Sequence, residues 1–180
     1  AQAQAALDRP AAWLTALATR LEKVINAPLQ EREIALVALA RLSADNPDLA
    51  LRHTHALNLH FSPEERALAW GRVGHMLAIK HAPEAREAYL RGGVWVGVVP
   101  GTARADEVLE WQVRTALRHT RGPDWAMVRT TIERMPADMQ ADPAWVYWQA
   151  RALLAVGETA ETVAAHDLLR REAVRPALAR

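Results

Sequence analysis

His53, His55 and His60 lie close together and are the nearest approach to a metal-ligand cluster in this sequence. On a helix, residues i and i+2 point apart. His53 and His60 share a face at i, i+7, but that spacing separates them by about 10 Å along the axis, too far for one metal ion. No acidic side chain is spaced to complete a ligand set, and His75, His81, His119 and His166 are scattered. These histidines read as surface or half-buried residues, and neither a metal nor another cofactor is expected. Paired carboxylates offer general acid–base chemistry, yet Glu31/Glu33, Glu64/Glu65 and Glu84/Glu87 all stand at expected helix starts, where negative charge stabilises the positive end of the helix dipole. A catalytic acid needs a desolvated pocket that this polar context does not suggest. The only serines, Ser43 and Ser62, sit where turns or caps are expected, which argues against a serine nucleophile. There is no cysteine, so disulfides, thiolate zinc sites and cysteine catalysis are excluded. Phosphate loops, dinucleotide fingerprints, H-E-x-x-H and G-x-S-x-G are absent as well.

The elements that would position any site are helices. Asp8 reads as a cap with Pro10 in the first turn, and Trp13, Leu14, Leu17, Leu21, Val24 and Ile25 then share one face. Ile34 to Leu42 predicts a second helix, too apolar to leave much free surface. Asn46-Pro47 restarts the chain for a third, carrying Leu49, Leu51, Ala56, Leu57 and Leu59. Ser62-Pro63-Glu64-Glu65 is the clearest start signal, with a fourth helix from Pro63 to about His81. Pro83 opens a shorter helix that Gly92-Gly93 stops, and 92–101 reads as an apolar loop. Further helices are predicted over Ala105 to His119, Trp125 to Met135 and Asp142 to Gly157, with one or two short ones after Glu158 divided near Pro176. The fold class is therefore all-α.

Composition agrees with a folded helical chain. At 51% hydrophobic and 24% charged, the 180 residues are too apolar for disorder, and no run of about 18 to 20 apolar residues offers a transmembrane segment. Ala1 to Ala5 has neither the basic start nor the apolar run of a secretory signal. With 22 basic against 21 acidic side chains, bulk charge gives no reason to expect nucleic acid as a partner.

Two segments echo each other. Trp111-Gln112-Val113-Arg114-Thr115-Ala116-Leu117 returns as Trp148-Gln149-Ala150-Arg151-Ala152-Leu153-Leu154, an offset of about 37 residues, within the range of helical solenoids. Trp70-Gly71-Arg72-Val73 is a fainter third copy. In a stack of αα-hairpins the recurring Trp fills the gap between neighbours, so Trp111 and Trp148 read as packing residues, with the Arg three positions later on nearly the same side.

Glu107 to Arg118 runs as an acidic-x-Leu-x-Trp-x-x-Arg-x-x-Leu-Arg pattern. It is followed by Asp124-Trp125, by Met135-Pro136, and by Asp142-Pro143-Ala144-Trp145-Val146-Tyr147-Trp148-Gln149-Ala150-Arg151-Ala152-Leu153 ending near Gly157. In order and spacing this resembles the superhelical domain of the soluble lytic murein transglycosylases. Ser62 to Trp70 with Pro83-Glu84-Ala85 is similar to the preceding helix pair, so the resemblance covers 62–157. Two features depart from the family: the Gly92 to Gly101 loop, and the absence of an F-Y-G segment after Gly157. The family's lysozyme-like catalytic module carries its glutamate in an E-S dipeptide, and no E-S occurs in this chain.

The resemblance implies a right-handed α-superhelix of stacked αα-hairpins, a TPR-like solenoid that is curved or ring-like, with 1–180 as a single superhelical domain or a fragment of one. The complete family enzyme cleaves the β-1,4 bond between N-acetylmuramic acid and N-acetylglucosamine and leaves a 1,6-anhydro end. This chain is expected to be a non-catalytic scaffold in peptidoglycan cleavage and turnover, binding or positioning glycan strands in the bacterial periplasm. Peptidoglycan and other cell-wall proteins are its expected partners. Because stem peptides carry carboxylates, Arg114, Arg118, Arg121 and Arg129 are the candidate contacts. Against this stands a plainer role in ion pairs, with Glu107 and Glu110 preceding Arg114. The alternative function is a TPR-like protein-interaction module. Such repeats place a small residue, commonly Gly, eight positions into a 34-residue period, and neither Trp111 nor Trp148 is accompanied by one.

Overall fold

Local start signals set most helix boundaries. The computed structural model describes residues 2–24, 27–93, 103–157 and 159–178, and the chain divides into two compact units. The first, Ala1–Gly97, holds α1 (Gln2–Asp8), α2 (Pro10–Leu21), α3 (Leu29–Asp45), α4 (Pro47–Leu57), a 3-10 turn over Asn58–His60, α5 (Pro63–Ile79) and α6 (Ala85–Gly92). The second, Val98–Arg180, holds α7 (Ala103–Leu117), α8 (Trp125–Ile132), α9 (Ala137–Gln140), α10 (Pro143–Val156) and α11 (Thr159–Leu178). No strand occurs among the described residues, and the fold is all-α.

The caps act as their chemistry requires. Ser62 and Glu65 form a reciprocal capping box: the Glu65 N–H donates to Ser62 Oγ at 3.2 Å and the Ser62 N–H donates to Glu65 Oε2 at 2.8 Å. Glu64 beside them is held below the ordinary carboxylate range by its own backbone N–H and by the Ser62 hydroxyl. Asn46 accepts from the Leu49 N–H, Asp124 from Met127 and Asp142 from Ala144, so α4, α8 and α10 each start on a side-chain cap. Asp8 does not cap α2. It ends α1, accepting from Gln4 Nε2 at 2.8 Å; Arg9 holds the cap position, and Pro10, with its preset φ, begins the helix.

In the first unit the buried side chains come from every helix: Ala6 of α1, Leu14, Leu17 and Leu21 of α2, Leu39 and Leu42 of α3, Leu57 of α4, Trp70, Val73 and Leu77 of α5, and Tyr89 of α6. Trp70 is 1% exposed. Its Nε1 donates to Asn58 Oδ1 at 2.8 Å, the His55 ring meets it edge-on at 4.7 Å, and the Arg91 guanidinium lies 5.3 Å from its centroid. Truncating so enclosed an indole to Ala typically costs about 3–5 kcal/mol. Glu65 also ties α5 to α3, because Arg32 Nε donates to both of its oxygens while Arg32 Nη1 donates to the Ala27 carbonyl.

In the second unit α8 packs against α7 and α10, and α10 against α11. Met127, Val128 and Ile132 of α8 are buried, as are Val108, Val113 and Ala116 of α7 and Trp145 and Val146 of α10. Ala150 and Leu153 meet Ala165 of α11, with Leu168 packed alongside. The turn from α7 to α8 closes through the Asp124 N–H donating to the Ala116 carbonyl at 2.9 Å.

Several local expectations change. Leu59 is 84% exposed, because the chain leaves the helix at Leu57 and tightens into the 3-10 turn. Ser43 is neither a turn nor a cap residue; it is buried within α3, its hydroxyl donating to the Ala40 carbonyl at 2.9 Å. α3 also leaves Leu29 and Val37 exposed. The short α9 is an addition to the expected helices, and α11 is one helix through Pro176, which falls in its last turn. The apolar loop expected over 92–101 lies, beyond Gly93, outside the described residues, as does Ile25.

Candidate functional site

The four candidate arginines belong to the second unit and have unlike surroundings. Arg114 on α7 pairs with Glu110 at 2.8 Å, one turn before it, and its guanidinium lies 5.3 Å from the Trp111 centroid. Arg118, just past the end of α7, lies 5.9 Å from the same ring. Trp111 is thus flanked by two cations, the arrangement its negative ring face favours. Arg121 is exposed in the turn before α8. Arg129 on α8 pairs with Glu133 at 2.9 Å. Arg114 and Arg129 each face a carboxylate already, so an external one would have to share them. Trp111 itself is half-buried.

A second aromatic group lies where α8 faces α10. Trp125 opens α8 immediately after its Asp124 cap, and Tyr147 and Trp148 are in the second turn of α10. The Trp125 and Trp148 centroids are 6.5 Å apart with planes inclined at 32°, and Tyr147 meets Trp148 edge-on at 5.1 Å. Arg151 lies one turn further along α10. Its guanidinium is 5.8 Å from the Trp125 centroid and 5.9 Å from that of Tyr147, and its Nη1 donates to the Tyr147 hydroxyl at 3.0 Å. Tyr147 is 43% exposed, Arg151 is exposed, and both tryptophans are half-buried. The buried tryptophan of α10 is Trp145, 9% exposed, and not Trp148. Arg151, Trp125 and Tyr147 were not among the candidate residues. Their signal is Arg151 in the segment Trp148 to Arg151 that echoes Trp111 to Arg114, one helical turn after Tyr147.

The histidines do not form a site. His53 is buried on α4 with Nε2 lacking a hydrogen-bond partner, and its pKa is lowered, first by burial and then by the neighbouring Arg52 charge. His55 is engaged with Trp70, and the Tyr89 hydroxyl is 3.5 Å from His75 Nδ1. Among the described residues no three His, Asp or Glu side chains converge in a metal-ligand group. The first unit also has a groove of about 500 Å³ where α1 meets α2, lined by Gln4, Ala5, Asp8, Arg9, Ala12 and Trp13. No helix among the described residues is long and apolar enough to cross a membrane.

No protein-family model matches the sequence, and no curated protein matches it. Among solved structures, the chain is similar to the lytic transglycosylase Slt from Pseudomonas aeruginosa, crystallised as an inactive mutant. The likeness has a TM-score of 0.57 at 20% sequence identity and covers 94% of this chain. The chain spans 30% of that protein's length. At this identity the likeness is one of fold.

Proposed function

We propose that this chain is a helical scaffold of the soluble lytic transglycosylase type, which binds and positions peptidoglycan strands without cleaving them. One observation carries the reading. The fold likeness to a lytic transglycosylase extends over 94% of the chain, and the sequence over 62–157 carries the Trp and Arg pattern of that family's superhelical domain. In this reading the helix pairs belong to a curved α-superhelix, cleavage belongs to a lysozyme-like domain outside these 180 residues, and the protein works in the periplasm. Arg114, Arg118, Arg121 and Arg129 contribute positive charge toward stem-peptide carboxylates, and the glutamates beside Arg114 and Arg129 compete for those two.

The test is cosedimentation with purified sacculi, together with analysis of the soluble products. The expected result is that the purified chain pellets with sacculi and releases no anhydromuropeptides. Release of anhydromuropeptides would overturn the non-catalytic assignment. A chain that stays in the supernatant would overturn peptidoglycan binding and leave a protein-interaction module.

A further inference from the structure

We propose that Arg151, seated among Trp125, Tyr147 and Trp148, is a recognition point for the carboxylate of a peptide-bearing glycan strand; the inference rests on the peptidoglycan reading above and locates a site within it. The first ground is how Arg151 is held. Arg20, Arg32, Arg91, Arg114 and Arg129 are each paired with a glutamate. Arg151 forms no ion pair among the described residues, and two aromatic rings and one tyrosine hydroxyl position it instead. A guanidinium has five N–H donors in a planar fork. The Tyr147 hydroxyl engages Nη1, and stacking against rings does not consume N–H groups. An exposed, pre-positioned cation with most of its donors uncommitted among the described residues suits a ligand that brings its own carboxylate, taken in the bidentate manner that arginine favours.

The second ground is what surrounds it. The exposed part of Tyr147 and the half-buried indoles of Trp125 and Trp148 leave ring surface in solvent beside the cation. An amphipathic aromatic surface next to a charge suits a ligand with both a C–H face and an anionic group. A sugar ring linked to an acidic peptide has both. The platform stands on packed helices rather than loops. Met127, Val128 and Ile132 lie buried on α8, and Trp145 and Val146 lie buried on α10. Asp124 and Asp142 cap the two helices near the aromatic residues. Rings carried on such elements keep their spacing when a ligand arrives.

The experiment titrates the full chain with a soluble disaccharide-tetrapeptide, reading tryptophan fluorescence and amide chemical shifts. Parallel arms use the same ligand with its peptide carboxylates amidated and a glycan strand stripped of peptides. Arg151→Gln, whose exposed side chain makes it compatible with an unchanged fold, is checked by its melting temperature and is expected to weaken binding of the carboxylate ligand at least tenfold. Arg151→Lys should recover part of that loss. Wild-type protein should bind the amidated ligand as weakly as Arg151→Gln binds the native one, and Arg151→Gln should show no further loss with the amidated form. Equal affinity of wild type and folded Arg151→Gln would overturn the site, as would equal affinity of wild type for the peptide-bearing and peptide-free glycans. The two failures separate: wild type that pellets with sacculi while Arg151→Gln changes nothing refutes only this site. Wild type that does not pellet refutes the peptidoglycan reading, and this inference with it.

Discussion

His53 is buried on α4, with Nε2 unpartnered and Arg52 beside it in sequence. Both burial and the Arg52 charge disfavour its protonated form and lower its pKa. The unfolded chain, with an ordinary histidine near pH 6.5, binds that proton more readily than the folded one. The contribution of His53 to stability is therefore highest above about pH 6.5 and is lost as pH falls from there through the lowered folded value. Thermal unfolding between pH 7.5 and 5 should show a decline that His53→Leu flattens. An equal slope in both proteins would mean that other groups govern the acid side. The burial of this residue was not visible in the sequence, because nothing local to 53 says that α2, α3 and α5 cover α4.

At the scale of elements, the contact of α5 with α6 is built on small residues. A Cβ added at Gly74 would lie 3.2 Å from the Ala88 Cβ and 3.3 Å from both the Tyr89 ring and its backbone nitrogen. At Gly92 it would lie 3.1 Å from the Gly71 nitrogen and 3.3 Å from the Trp70 Cβ. The helices approach so closely because side chains are missing there. A larger side chain at Gly74 gains helix propensity worth less than about 1 kcal/mol and meets backbone that cannot move aside. Overpacking of this kind costs about 1–3 kcal/mol. Gly74→Val is accordingly expected to destabilise the protein by about 1–2 kcal/mol, measured by urea unfolding; a midpoint at or above wild type would show that α6 shifts without penalty. The Trp70-Gly71-Arg72-Val73 segment, which reads as a weak copy of the Trp-Arg motif, thus lies in this close contact, with its backbone against Gly92. Trp70 is stacked by Arg91 from α6, whereas Trp111 has Arg114 from its own helix.

For the whole molecule the formal net charge of +1 leaves no long-range field to recruit an anionic polymer, so any attraction must come from local groups. Arg118 and Arg121 bracket the turn between α7 and α8, and Arg121 is exposed there. Reversing both to Glu should weaken sacculus binding, and the loss should be larger in low salt than in high salt, because exposed charges are screened within about 10 Å at 0.1 M. Binding that is unchanged across the salt range would make these arginines ordinary solvated surface. The charge reversal and the Arg151 variants address different faces of recognition, one diffuse and one stacked against aromatic rings.

The sequence alone determined the all-α class and most helix starts, because caps act within three or four residues. Asn46, Ser62, Asp124 and Asp142 accept the backbone N–H groups that their positions predict. It also determined which residue types recur near Trp111 and Trp148. Only tertiary structure decided that Trp70 and Trp145 are buried while Trp111 and Trp148 remain half-exposed, that Asp8 ends a helix rather than starting one, and that Arg151 is held by aromatic rings where other arginines have glutamates. Those outcomes depend on which helix covers which face. Periodicity assigns apolar residues to a stripe on one helix, but how deeply each is covered is set by the distance to a neighbour many residues away.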